Sequence, residues 1–400
     1  MTSIACDVAI VGGGPVGAAL AIALAGDGLQ VALVEGREPR LPEAEAWDCR
    51  VYAVSPGSRA LLTALGAWQR MAAERMAPIA RMQVWGDDGR ANIEFNAEEA
   101  GGEDLGCIVE AGRLQQALWN VMRDETGVIV HCPARCEALG LQDDHEDDQG
   151  LQGNQALLTL MDGTCIRAAL VVGADGPDSW VRGAAGLTSW VKPYGQTAVV
   201  ANFATGQSHG NVARQWFGKD GVMAWLPLPG KRISIVWSAD TALAQELLAL
   251  APDALSERVA QAGHATLGQL ELMAPAAAFP LRLVAVPRAV KAGVALVGDA
   301  AHVVHPLAGQ GINLGFRDVQ VLAQVLRQRG RHQSAGELAL LRGYERARRE
   351  DWLATRWVTD GLQRLFQGEG RELAGLRNLG LGLAGRLPGL KRRFMAHAMQ

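Results

Sequence analysis

Four short stretches of this sequence carry residue types at spacings that could do chemistry. The first is Gly12-Gly13-Gly14-Pro15-Val16-Gly17, a GxGxxG run between an apolar segment and an Ala/Leu-rich one. Gly12 permits a tight turn, Gly14 lets the backbone approach a pyrophosphate, and Gly17 lets a helix pack closely on a strand. The helix that opens at Pro15 and Val16 offers free N–H groups and a positive dipole end to phosphates. Glu35 ends the next apolar run, where it is placed to accept hydrogen bonds from a ribose. The combination points to a dinucleotide without separating one dinucleotide from another. The alternative is a glycine-rich turn with only a packing role.

The second stretch is Gly298-Asp299, at the end of the apolar run Ala295-Leu296-Val297. A carboxylate at a strand end can take two hydroxyl hydrogens from a polyol. It can also cap the helix that follows. The third is His305-Pro306-Leu307-Ala308-Gly309-Gln310-Gly311-Ile312-Asn313-Leu314-Gly315-Phe316-Arg317-Asp318. His302 and His305 lie three apart, but Asp299 already has a task and no metal is expected. The fourth is Gly173-Ala174-Asp175-Gly176, followed by Ser179 and Arg182. Alone it is only a turn.

Taken in order, these stretches resemble the class A flavoprotein monooxygenases, the aromatic hydroxylases. The third stretch resembles the signature of their ubiquinone-biosynthesis hydroxylase branch. The resemblance implies that Asp299 binds the ribityl chain of FAD. It also implies that Pro306, Gly309, Gln310 and Gly311 face the flavin ring, with Ile312 and Asn313 beside them. Gly309 and Gly311 would keep side chains off a flat ring. The positive helix end there would stabilise reduced flavin, which is anionic at its pyrimidine side. Asp175 falls in a motif similar to one near the FAD pyrophosphate that is implicated in NAD(P)H handling. Asp48-Cys49-Arg50 resembles a segment whose arginine contacts FAD. Gly106-Cys107-Ile108-Val109-Glu110 resembles a family stretch, with Val109 and Gln115 near the cofactor. Cys107 and Ala111 depart from its usual Tyr or His and its usual Asn, which leaves backbone contacts but no side-chain contact at Ala111.

Further stretches are most similar to the enzymes that hydroxylate 2-polyprenylphenol at ring carbon C5. They are Met82-Gln83-Val84-Trp85, Ala117-Leu118-Trp119-Asn120, Ser179-Trp180-Val181-Arg182 and Leu387-Pro388-Gly389-Leu390-Lys391. The implied activity uses FAD, NAD(P)H and O2, with one oxygen carried on the flavin as a C4a-hydroperoxide and passed to a polyprenylated phenol. A hydroxylase acting at another ring position or on a soluble aromatic is the nearest rival. A non-catalytic FAD-binding subunit of a biosynthetic assembly is the rival from another class. No second GxGxxG stands between a strand-like run and a helix, the match at 380–385 lying in the leucine-rich tail, which argues against reductases with two dinucleotide domains.

The elements that must position these residues follow from the apolar patterning. Residues 7–12 and 30–35 read as buried strands flanking a helix, the opening of a doubly wound sheet. Strands are expected at 83–85, 91–95, 157–161, 166–172 and 293–298, with a long helix from about Gly311. The expected fold is α/β: a Rossmann-like FAD-binding domain assembled discontinuously from 1–78, 107–186 and 285–338. A β-sheet substrate domain (α+β) is inserted as 79–106 and 187–284, and 339–400 form a helical C-terminal region. In the insert, Trp85, Trp216, Trp225, Pro227 and Trp237 are candidates for an apolar substrate pocket, against the plainer reading of ordinary core.

Apolar residues make up 49% of the 400-residue chain and charged residues 20%, which suits a folded core. The net charge of −4 argues against nucleic acid as a partner. Six scattered cysteines without a CxxC pair fit a reduced, cytoplasmic setting. No signal peptide and no apolar run long enough to span a bilayer is evident. The acidic run at 143–148 reads as a solvated loop. The tail from 373 to 400 is basic, with leucines at near-helical spacing. It suits the inner face of a membrane, the core, or a partner such as another ubiquinone-biosynthesis protein.

Overall fold

A computed structural model describes residues 3–40, 45–86, 92–141, 155–305, 309 and 311–367. The chain starts with β1 (Ser3–Val11), α1 (Pro15–Gly26) and β2 (Val31–Val34), then β3 (Val51–Val54), α2 (Pro56–Ala64) and β4 (Ala77–Pro78). It leaves for a second sheet with β5 (Arg81–Trp85) and β6 (Asn92–Asn96). It returns through β7 (Cys107–Glu110), α3 (Ala111–Glu125), β8 (Ile129–His131), β9 (Cys136–Leu141), β10 (Ala156–Leu160), β11 (Cys165–Gly173) and α4 (Trp180–Ala184). A longer excursion follows: β12 (Trp190–Thr205), β13 (Val212–Gly218), β14 (Gly221–Leu228), β15 (Arg232–Asp240), α5 (Thr241–Ala249), α6 (Pro252–Ala262), β16 (Leu270–Leu272) and β17 (Ala277–Ala285). β18 (Val290–Lys291) and β19 (Val294–Leu296) rejoin the first sheet and β20 (His302–Val303) the second. Helices α7 (Gly311–Arg327) and α8 (Leu338–Gln367) follow.

The class is α/β. The first sheet runs β18-β19-β11-β1-β2-β8, and its five strands from β19 to β8 are parallel. Alternation along β1 sorts its side chains. Val8 and Ile10 join a core under α1, α3, α7 and α8, while Ala9 and Val11 join one with the β9–β10 hairpin and α4. Register decides where the chemistry collects. Val11 pairs with Val34 and with Gly173, and Gly173 pairs with Leu296. The turns that start at Gly12, Glu35, Ala174 and Val297 therefore leave from one edge, the carboxyl edge where open α/β sheets bind ligands.

The second sheet runs β20-β17-β12-β15-β14-β13-β5-β6. The two excursions meet where β13 pairs in parallel with β5. One face of this sheet carries Val199, Phe203, Trp216, Trp225 and Trp237, packed under α5 and α6. On the opposite face Ala213, Leu226 and Leu228 meet Ile108, Val51 and Ala53 of the small β3-β7-β4 sheet. That second face looks toward the first sheet's carboxyl edge. Among the described residues, no helix is long and apolar enough to cross a membrane.

Candidate functional site

The glycine turn is fixed by sterics. Gly12 has φ +109°, and a Cβ there would lie 2.4 Å from the Ala174 carbonyl oxygen. A Cβ on Gly17 would lie 2.0 Å from the Gly12 oxygen. Neither backbone atom can step aside, so both positions require glycine. Gly14 is different: a Cβ there would meet nothing within 4 Å. Gly14 caps α1, Pro15 occupies its first turn, and no side chain caps it. The first N–H groups of α1 thus face open space at a positive helix end.

Gly13 is clamped from two sides. Its N–H donates to Glu35 Oε2 at 2.6 Å, and its carbonyl accepts from Gln115 Nε2 at 3.1 Å and Trp119 Nε1 at 2.7 Å. Glu35 Oε1 also accepts from the Arg37 N–H at 2.9 Å. Two carboxylate lone pairs remain for a ribose. A hollow of about 370 Å³ opens beyond Glu35, lined by Gly36, Pro133, Ala134, Arg135 and Met161 among others.

Asp299 stands across the cleft. It sits in a single 3₁₀ turn, Gly298–Ala300, behind Gly298 at φ +59°. Its side chain is open to solvent, yet it lies deep enough in the molecule that desolvation lifts its carboxyl above the usual range, against the pull of His302 and Arg50. Such a group lies on a cleft floor. Asp299 accepts no hydrogen bond from any described residue. Arg50 is exposed beside it, its guanidinium 5.7 Å from the Tyr52 ring and 6.0 Å from that of Phe279. Val16 joins the near and far turns. Its methyls lie 3.3 Å from a Cβ built on Gly298 and 2.6 Å from one on Gly315. The open carboxylate, the uncapped helix end and the glycine-lined gap fit a long dinucleotide carrying a polyol.

Several residues singled out in the sequence are held by protein partners. The Asn313 amide is committed to protein: Oδ1 accepts from Ser55 N–H at 2.9 Å, and Nδ2 donates to the Ala53 carbonyl at 2.8 Å. It thereby straps the Gly309 turn, at φ +60°, onto β3. Asp175 accepts from Ser179 Oγ at 2.5 Å and the Val181 N–H at 3.0 Å, closing the start of α4. Val109 is buried opposite Tyr52, and Ile312 packs on the helix-side core. Pro306 and Gln310 lie outside the described residues, as do the acidic run and the basic tail.

The tryptophans correct an expectation. Trp85, Trp216, Trp225 and Trp237 pack on the sheet face covered by α5 and α6, with Trp85 stacked on Trp216 at 5.1 Å. Pro227 shares the strand parity of Trp225. Alternation on β14, β15 and β12 instead turns Ala224, Leu226, Val236 and Val200 toward the cleft. Apolar character alone could not tell the two faces apart.

Two buried hubs carried no role in the sequence reading. Glu110 accepts from the Asp48 N–H (2.8 Å), from Arg75 (2.8 and 2.9 Å) and from Arg113 (2.9 Å), while Asn202 Nδ2 donates to the Asp48 carbonyl. These grip the segment that carries Arg50. Asp318, fully buried, accepts from Gly298 N–H, His302, Arg348 and Trp352. His305 is buried against Tyr194, with Nε2 3.0 Å from Gln196 Oε1, and burial lowers its pKa to about 4.

Comparison with known proteins agrees with this geometry. A family model described as an FAD binding domain matches residues 5–356. Ubiquinone hydroxylase UbiL of Rhodospirillum rubrum is 39% identical over 394 residues, 98% of this chain and 89% of that protein. The 3-demethoxyubiquinol 3-hydroxylase of Escherichia coli is 36% identical over 401 residues, covering 100% of both. PqsL of Pseudomonas aeruginosa, a probable FAD-dependent monooxygenase of known structure, shares the fold at TM-score 0.76 and 23% identity, over 94% of this chain and 99% of that one. The chain belongs to the FAD-binding-domain family and, within it, to the FAD-dependent monooxygenases that act as ubiquinone-biosynthesis hydroxylases.

Proposed function

We propose that this chain hydroxylates the aromatic ring of a polyprenylated phenol on the way to ubiquinone, with C5 of 2-polyprenylphenol as the favoured site. The observation that carries the cofactor half of this reading is Asp299: an open carboxylate, on a cleft floor, with no hydrogen bond from a described residue. Bound FAD supplies the redox chemistry, with NAD(P)H and O2 as cosubstrates.

The protein's own residues bind, orient and exclude water. The α1 N-terminus behind Gly14 holds the pyrophosphate, and Glu35 accepts from the ribose with the adenosine end in the hollow beyond it. Asp299 accepts from the ribityl hydroxyls and Arg50 adds positive charge beside them. Gly309, Gly311 and the start of α7 offer N–H groups to the ring, in a segment that includes Pro306 and Gln310. The second sheet forms the roof, whose Ala224, Leu226, Val200 and Val236 keep the reacting ring dry. Asp175 and Val109 act at one remove. The tail at 373–400 brings the enzyme to the membrane surface where a polyprenyl chain resides.

A second reading places the hydroxylation at another ring position. The full-length similarity to a 3-demethoxyubiquinol 3-hydroxylase favours it. Deleting the gene and identifying the accumulated precursor by mass spectrometry decides between them. A precursor lacking the C5 oxygen supports the first reading, and a demethoxy precursor supports the second. Unchanged quinones in a strain without a paralogue would remove both.

A further inference from the structure

Helix α8 turns an unusual face toward the cofactor cleft. Tyr344, Arg348 and Trp352 fall at i, i+4 and i+8 and so share one side of the helix. In an ordinary amphipathic helix that inward stripe is apolar. Here each member donates a hydrogen bond to the unit formed by β19, the Gly298–Asp299 turn and α7. Tyr344 Oη donates to the Leu296 carbonyl at 2.9 Å, two residues before Gly298. Arg348 Nε reaches Asp318 Oδ1 at 2.7 Å and its Nη2 the Leu314 carbonyl at 3.3 Å. Trp352 Nε1 reaches Asp318 Oδ1 at 3.0 Å.

The other oxygen of Asp318 faces the turn. Oδ2 accepts from the Gly298 N–H at 2.9 Å and from His302 Nε2 at 2.6 Å. Burial opposes ionisation of Asp318, but His302 and Arg348 outweigh it and hold the carboxyl below its usual range. Asp351 pairs with Arg317 at 2.8 Å and with Arg348 at 2.5 Å, so the two arginines and two aspartates balance. Gly298 sits at positive φ, and the acceptor on its N–H sets how the turn presents the next residue. A carboxylate with four donors, all inside the protein, keeps no lone pair for a ligand.

We propose that Asp318 is a positioning residue of the FAD site: locked by Arg348 and Trp352 of α8, it fixes the Gly298 N–H and thereby the place where Asp299 meets the cofactor. This rests on the reading that Asp299 accepts from the ribityl chain. It makes α8 a working part of the flavin site, acting through Asp318.

The test is a titration of apoprotein with FAD, read by flavin fluorescence, beside the apoprotein Tm. Arg348→Met and Trp352→Phe are each made alone and combined with Asp299→Ala. Arg348→Met weakens FAD binding about 10-fold and Trp352→Phe about 3-fold. In the Asp299→Ala background both losses shrink below about 2-fold, while the drop in apoprotein Tm persists in full. That split separates positioning from general destabilisation. Losses that multiply undiminished onto Asp299→Ala overturn the proposal, and so does unchanged affinity in Trp352→Phe and Arg348→Met. If Asp299→Ala alone leaves affinity unchanged, the ribityl reading itself fails and takes the proposal with it. Should Arg348→Met not fold, Trp352→Phe carries the test alone, since it keeps an aromatic ring in place.

Discussion

The two turns that face each other across the cleft are held by opposite means. The Gly12–Gly17 turn is shaped by backbone contact, with clearances of 2.0 and 2.4 Å that only glycine tolerates. The Gly298–Asp299 turn is shaped by charge, through a buried aspartate that gathers donors from residues 298, 302, 348 and 352. The first is local and holds itself. The second depends on a helix that begins forty residues later in the chain. One cofactor site thus joins a rigid steric half to an electrostatic half that distant residues can adjust.

Substitutions can break this contrast, beginning where the effect is largest. Asp318→Asn removes the fully buried carboxylate that pairs with Arg348 and His302, leaving Arg348 only Asp351, and should cost about 3–5 kcal/mol of stability in denaturant titration. An effect below about 1 kcal/mol would mean the cluster is not a charge hub. Gly17→Ala forces a methyl into the Gly12 carbonyl and should cost about 3 kcal/mol, with FAD lost on purification. Trp225→Leu hollows the core under α6 and should cost about 2 kcal/mol while leaving the phenol KM unchanged. A raised KM at unchanged stability would return that residue to the substrate pocket. Gly14→Ala, whose methyl meets no protein, should cost about 1 kcal/mol or less, yet weaken FAD binding markedly because the methyl enters ligand space.

The smallest effect is a pH dependence. The Asp299 carboxyl is raised in the folded apoprotein relative to its usual 3.8, chiefly by desolvation. The folded state therefore holds that proton more tightly than the unfolded chain, and ionisation costs stability at neutral pH. Asp299→Asn should make the apoprotein more stable at pH 7. The gap should close as pH falls through the raised folded value toward 3.8. A gap that is constant with pH would place Asp299 in ordinary solvent.

Much of this was legible in the sequence because the signals are local. The apolar runs ending at Val11, Val34, Gly173 and Leu296 mark the parallel strands, and the residues just after each one form the cleft edge. What could not be read depends on pairing across distance. Asn313 and Asp175 stand in motifs, but their side chains bind Ser55, Ala53, Ser179 and Val181, so those two side chains fix the loops that carry the motifs. The tryptophans show the limit of apolar patterning: alternation says that one face is buried, and only α5 and α6 decide which. Asp318 lies inside the most distinctive stretch, yet its role needs Arg348 and Trp352.

The central claim is that the separated stretches at Gly12–Gly17 and Gly298–Asp299 bind one FAD. A crystal structure of the protein with FAD bound tests it most directly. It should place the pyrophosphate against the α1 N-terminus and an Asp299 carboxylate oxygen about 2.6–3.0 Å from a ribityl hydroxyl. FAD bound with Asp299 still facing solvent, or a ribityl chain held only by other residues, would contradict the account.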